Sequence, residues 1–94
     1  MTLTHQRQHL LAILPPIQEE KLIEHSGKKD DWRDYSIAKL VILFEEERRE
    51  FLDELTAPQI SVKHASREAG DVANVLAMIV DKLQFEAGEN YEKD

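Results

Sequence analysis

Two pairs of acidic residues in this chain have the types and spacing for chemistry: Glu47 with Glu50, and Glu68 with Asp71. Residues three apart on a helix point the same way, so each pair can approach one object from one side. Taking Glu47 as origin on a helical wheel, Leu40, Leu43, Glu50, Phe51 and Glu54 fall within about 60° of it. Taking Glu68, the residues Val72, Val75 and Ile79 lie close and Asp71 is about 60° away. Both pairs therefore occupy faces that should be apolar. Unpaired carboxylates in such a seam cost several kcal/mol, so a counter-charge is required. A hard divalent cation meets that need with oxygen ligands alone. An all-oxygen set favours Mg²⁺ or Mn²⁺ over Zn²⁺.

The elements that must position these acids can be read from the punctuation. The chain has only three Gly and three Pro. Thr2 to Leu14 reads as a short helix closed by Pro15-Pro16, with Pro16 opening a second segment, Ile17 to His25. Residues 26–35 read as a polar loop that Trp32 anchors to the core. Ser36 is a good N-cap, and Leu40, Leu43, Phe44, Phe51 and Leu55 recur at helical spacing over 36–56. Thr56-Ala57-Pro58 ends that helix. Ser61 caps a second long helix over 61–86, with Ala65, Ala69, Val72, Leu76, Ile79 and Leu83 as its apolar stripe. Residues 87–94 form a polar tail. Strand alternation is absent, so the class is all-α and residues 1–94 form a single domain. The link from Thr56 to Ser61 is short enough for an antiparallel hairpin, which would set Glu47 and Glu50 opposite Glu68 and Asp71.

Composition narrows the partners. The net charge is −7, from 19 acidic and 12 basic residues, the opposite of a nucleic-acid-binding module. No apolar run approaches membrane-spanning length, and the start of the chain lacks the pattern of a signal peptide. Cysteine is absent, which excludes disulfides and thiolate metal sites and fits a cytoplasmic setting. A 94-residue chain is marginal alone and needs a metal, a partner subunit or both. Ile42, Leu52 and Met78 lie off the main stripes and would be exposed in a lone hairpin. Two hairpins packed together would bury them in a four-helix core, so a homodimer or homotetramer is expected.

The segment Glu46-Glu47-Arg48-Arg49-Glu50, followed after 17 residues by Glu68-Ala69-Gly70-Asp71, resembles the E-E-x-x-E … E-x-x-D signature of the MazG-like, all-α nucleoside triphosphate pyrophosphohydrolases. The flanking Leu43-Phe44 and Phe51-Leu52 are similar too, and Asp71-Val72-Ala73-Asn74 resembles the D-V-A-N stretch of a phage- and prokaryote-type branch. The loop Gly27 to Trp32 resembles a Gly-Lys…Trp segment of that branch. The likeness covers roughly His25 to Leu83. It implies Mg²⁺-dependent hydrolysis of a (d)NTP to the monophosphate and pyrophosphate, a house-cleaning reaction of the nucleotide pool, by an enzyme that forms oligomers. Glu47, Glu50, Glu68 and Asp71 would hold the metal, with Mn²⁺ as a substitute. Glu46 would orient water or act from behind the metal ligands. Asn74, Lys39, Lys82 and Trp32 would be candidates for contact with the nucleotide, and Lys63 and Arg67 further cations for its phosphates. Some members carry after this region a further helix with Lys, Arg and Asn residues; here only Asn90 and Lys93 follow Glu86 as candidates, so phosphate contacts are expected from elsewhere or from a neighbouring subunit.

Simpler readings stand beside these. Acid runs are usually solvated faces, and Glu45 and Asp53 are read that way. Lys39, Lys63, Arg67 and Lys82 are each ordinary surface residues by type. His5 and His9, four apart, lack a third ligand and read as exposed histidines. Ala65, Ala69 and Ala73 read as a close helix contact. A di-iron bundle would need Glu-x-x-His pairs, which are missing. The non-enzymatic alternative is an acidic helical oligomerisation or adaptor module.

Overall fold

The computed structural model describes residues 2–25 and 32–88. Among them there are three α-helices and no strand: α1 (His5–Glu24), α2 (Ile37–Thr56) and α3 (Val62–Glu86), with a 3₁₀ turn at Trp32–Asp34 before α2. The two long helices begin where their caps predict. Ser36 accepts from the Lys39 amide and Ser61 from the His64 amide, each satisfying an otherwise orphaned donor. Helix α3 ends at Glu86, and Gly88, just past its C-cap Ala87, turns the chain with a φ of +66° that costs glycine no side-chain penalty. The expected loop over 26–31 and tail over 89–94 lie outside the described residues.

Helix α3 is the hub: α2, α1 and the 3₁₀ turn all pack on it. The hairpin of α2 and α3 is closed by Leu40, fully buried, with Ala65 and Val75. Leu43, Phe44 and Phe51 are half-buried along the same face of α2. The expected α3 stripe holds only in part. Ala65 is buried and Ala69, Val72 and Ile79 are half-covered, but Leu76 and Leu83 are exposed. The reason is that α3 is gripped from several sides, so its buried positions also include Gly70, Asn74 and Lys82.

The N-terminal region corrects the expected break at Pro15-Pro16. Both prolines lie inside one continuous helix, His5–Glu24. Each proline removes an amide donor and crowds the preceding turn, which usually ends a helix. Here the residues on the C-terminal side are anchored: Ile17 and Gln18 are half-buried and Lys21 is buried, with Leu14 just before the prolines half-buried as well. The fixed φ of proline is itself compatible with a helix, so this anchoring holds the helical path. The preceding turns, His5–Ile13, are exposed throughout, including Leu10 and Leu11.

Glycine is required at one close helix approach. A Cβ built on Gly70 would meet Ile17 Cγ2 at 2.6 Å, so α1 lies directly on this point of α3. Beside it, Gln18 Nε2 donates to Asn74 Oδ1 at 3.2 Å and Asn74 Nδ2 donates to the Gln18 carbonyl at 3.3 Å. Arg67 donates to Glu20 at 2.7 Å and to Glu24, both on α1.

Candidate metal centre

The hairpin brings three of the expected acids together. Glu47 and Glu50 come from α2 and Glu68 from α3, and one carboxylate oxygen of each lies within 4.8 Å of the others. The antiparallel pairing of two capped helices produces this meeting, because the E-x-x-E face of α2 is also the face that carries Leu40 and Leu43. Glu47 and Glu68 are half-buried, and Glu50 stands at the exposed edge of the seam.

The electrostatics of the seam are unfavourable without a cation. Glu47 Oε2 and Glu68 Oε2 are buried side-chain oxygens with no hydrogen-bond partner among the described residues. Burial pushes the Glu47 carboxyl up to about 7, helped by the close approach and charge of Glu50 and by the charges of Asp71 and Glu68. Burial also raises Glu68, with Glu50 and Asp71 adding to it and Lys21 opposing. Orphaned buried oxygens at the meeting point of three carboxylates fit a hard divalent cation, whose ligands are oxygens.

The other expected site residues are placed differently. Asp71 lies beside the seam, but its Oδ2 is 3.2 Å from the Lys21 ammonium of α1. Glu46 is exposed. Asn74 is buried and commits its amide to Gln18 of α1. Lys82 is buried too: its ammonium donates to the Arg33 carbonyl at 2.8 Å and pairs with Glu86 at 2.6 Å. Trp32 is half-buried and donates from Nε1 to Asp81 at 2.7 Å, the loop anchor expected of it. Lys39 is exposed, with its ammonium 3.7 Å from the centre of the Tyr35 ring. Arg67, an expected phosphate cation, is tied to Glu20 and Glu24. Asn74, Lys82, Trp32 and Arg67 are thus engaged within the chain. Lys39 and Lys63 stay on the surface.

Sequence reasoning missed two pairings. Lys21 is the partner of Asp71 fifty positions away, and no local spacing signals it. Asp81 receives Trp32 and a two-pronged Arg33, at 2.9 and 3.0 Å, and Arg33 also lies 4.5 Å from the centre of the Phe85 ring. The residue types of Trp32, Arg33 and Asp81 suit such a contact, but only the packing of the 3₁₀ turn on α3 reveals it.

Comparison with known proteins adds nothing to this geometry: no family model, curated protein or solved structure matches the chain. The described helices include none long and apolar enough to cross a membrane.

Proposed function

We propose that the chain is a Mg²⁺-dependent nucleoside triphosphate pyrophosphohydrolase that converts a (d)NTP and water to the (d)NMP and pyrophosphate and acts as a homo-oligomer. The observation that carries this reading is the convergence of Glu47, Glu50 and Glu68 with two buried, unpartnered oxygens. The resemblance of the same residues to the MazG-like signature supplies the reaction.

Glu47, Glu50 and Glu68 are the residues that would hold the cation. The chemistry supplied by a divalent ion there is neutralisation of phosphate charge and acidification of a coordinated water. The chain's own residues define the rest. Glu50, at the exposed edge, gives the seam its opening to solvent. Glu46, one residue before Glu47 and exposed, would orient water or act from behind the metal ligands. The described chain offers few uncommitted cations for a triphosphate, because Arg67 and Lys82 are paired internally. Lys39, Lys63 or basic residues of a second copy would have to supply them.

The oligomer is supported by the apolar side chains exposed on the described helices. Ile42 and Leu52 are exposed on α2 as expected of a lone hairpin, Met78 is half-buried instead, and Leu76, Val80 and Leu83, the first and last of them expected in the core stripe, are exposed on α3. The adaptor alternative shares this apolar surface but gives no reason for orphaned oxygens on Glu47 and Glu68.

The deciding measurement is pyrophosphate release from a panel of canonical and modified (d)NTPs with Mg²⁺, run in ¹⁸O water. Label in the nucleoside monophosphate, from attack of water at the α-phosphorus, is expected. Label appearing only in inorganic phosphate overturns the reaction assignment. Light scattering coupled to size exclusion should give a multiple of the 10.9 kDa chain, and an active monomer overturns the oligomer.

A further inference from the structure

One charged side chain beside the acid seam belongs to neither of the seam's helices. Lys21, on α1, is only 9% exposed. Its ammonium lies 3.2 Å from Asp71 Oδ2 and 3.8 Å from Glu24 Oε2. It is not a surface lysine free to drift. Ile17 on Gly70, Gln18 on Asn74, and Glu20 and Glu24 on Arg67 fix the same stretch of α1 to the same stretch of α3. A lysine ammonium has three donors and no acceptor, so what it offers an acid is one compact positive charge.

We propose that Lys21 is a resident cation of the acid site: it neutralises Asp71, keeps that carboxylate out of the metal's ligand set, and limits the seam to one tightly held divalent ion on Glu47, Glu50 and Glu68. This inference rests on the metal reading of the seam. Geometry separates the two cation positions. Glu47, Glu50 and Glu68 share a meeting point, and Asp71 is not part of that group. A second divalent ion using Asp71 would have to sit beside a buried ammonium, against like-charge repulsion in a partly dry place. Lys21 therefore acts as a positioning residue that sets how many divalent ions the seam takes.

The test is Mn²⁺ binding to the full chain, counted by the electron paramagnetic resonance of free Mn²⁺, with no activity readout needed. The wild type should bind one Mn²⁺ per chain at a site that Glu68→Gln removes. Lys21→Met should gain a second ion or hold the first roughly tenfold tighter, the scale of removing one unit charge beside a partly screened ion. The double variant Lys21→Met with Asp71→Asn keeps the seam's net charge, and should return to one ion with affinity within about threefold of wild type, since a loss that small is about 0.7 kcal/mol. It also leaves no unpaired buried charge, so it keeps the test alive if Lys21→Met alone fails to fold. If Lys21→Met binds Mn²⁺ as the wild type does while Glu68→Gln still removes it, the metal reading stands and the role of Lys21 falls. An ion about tenfold weaker in the double variant makes Asp71 a ligand and likewise overturns it. A wild type with no Mn²⁺ that Glu68→Gln removes ends both readings.

Discussion

Helix α3 carries acids in two opposite conditions. Asp81, near its C-terminal end, receives two bonds from Arg33 and one from Trp32, and these hold its carboxyl down at about 2. Glu68, near its start, has a buried oxygen without a partner and a carboxyl raised by burial and by neighbouring acids. Both are single acids on one helix, and both face a neighbouring element. The difference is where the compensating charge comes from. At Asp81 the chain carries its own cation on the 3₁₀ turn. At Glu68, and at Glu47 across from it, two acids meet acids. Folding alone does not reward that arrangement, which is why the seam, and not the fully paired Asp81 contact, is the place to look for a bound ion.

The strongest way to break this comparison is to neutralise the two kinds of acid separately. Glu47→Gln, Glu50→Gln and Glu68→Gln should each lower pyrophosphate release by roughly 10²–10⁴-fold, the scale of several kcal/mol of metal-derived stabilisation. Helical content by circular dichroism should be kept, since no helix cap or apolar contact is removed. Asp81→Asn should leave turnover within a few fold of wild type. Wild-type turnover in Glu50→Gln and Glu68→Gln would remove the seam from the chemistry.

Next in size is the metal-linked stability. A ligand bound only by the folded state adds about 2.7 kcal/mol at a hundredfold excess over its Kd. For a domain of this size each kcal/mol moves the melting temperature by about 4–8 °C. Mg²⁺ should therefore raise the wild-type melting temperature at fixed protein concentration by roughly ten degrees or more. The gain should vanish in Glu47→Gln with Glu68→Gln and persist in Asp81→Asn. An equal rise in all three would mark nonspecific ionic screening.

The two kinds of acid also differ in how legible they were. Glu47, Glu50 and Glu68 could be found from sequence because their anomaly is periodic: they interrupt apolar faces whose register the helix repeat fixes. The caps Ser36 and Ser61 were legible for the same reason, being local. What the sequence hid was long-range. A proline pair is a strong local stop signal, yet the packing of Ile17 on Gly70 and the burial of Lys21 carry α1 through it. Lys82 and Asn74 look like ligands by type, and only the packing of the 3₁₀ turn and α1 shows them already engaged. Asp71 matched its motif by spacing, and its actual neighbour comes from a helix that periodicity cannot place.

Acid titration should separate the two conditions with opposite signs. The folded-state pKa of Asp81 is depressed, so its contribution is full above the unfolded value of 3.8 and is lost as pH falls toward about 2. The folded-state pKa of Glu47 is raised to about 7 from 4.5, so the metal-free fold binds an extra proton over that range. Its stability is unaffected below 4.5 and declines as pH rises through 7. The metal-free protein should therefore melt highest near pH 4–5 and lose several degrees by pH 7. Saturating Mg²⁺ should flatten the upper limb, because the ion replaces the proton as counter-charge. An upper limb unchanged in Glu47→Gln would show that the decline has another source.

The smallest expected effect comes from a change that alters no charge. Gly70 lies between Glu68 and Asp71, and Ile17 of α1 rests on it. Alanine there places a Cβ at 2.6 Å from Ile17 Cγ2, too close to be tolerated unmoved. The clashing atom is a β-branched methyl with a stiff χ1, so α1 has to shift or Ile17 has to leave its rotamer. Overpacking of this kind costs about 1–3 kcal/mol. Replacing glycine within a helix returns about 0.5–1 kcal/mol, so the net loss should be about 1 kcal/mol or slightly more. A fall of a few degrees in melting temperature is the expected reading. The effect on the acids is more informative than the melting itself. If α1 only covers α3, Gly70→Ala should leave Mn²⁺ affinity unchanged. If α1 delivers the cation that satisfies Asp71, a displaced Lys21 should alter Mn²⁺ affinity although every carboxylate remains in place. An unchanged melting temperature together with unchanged affinity would show that α1 is not held at Gly70.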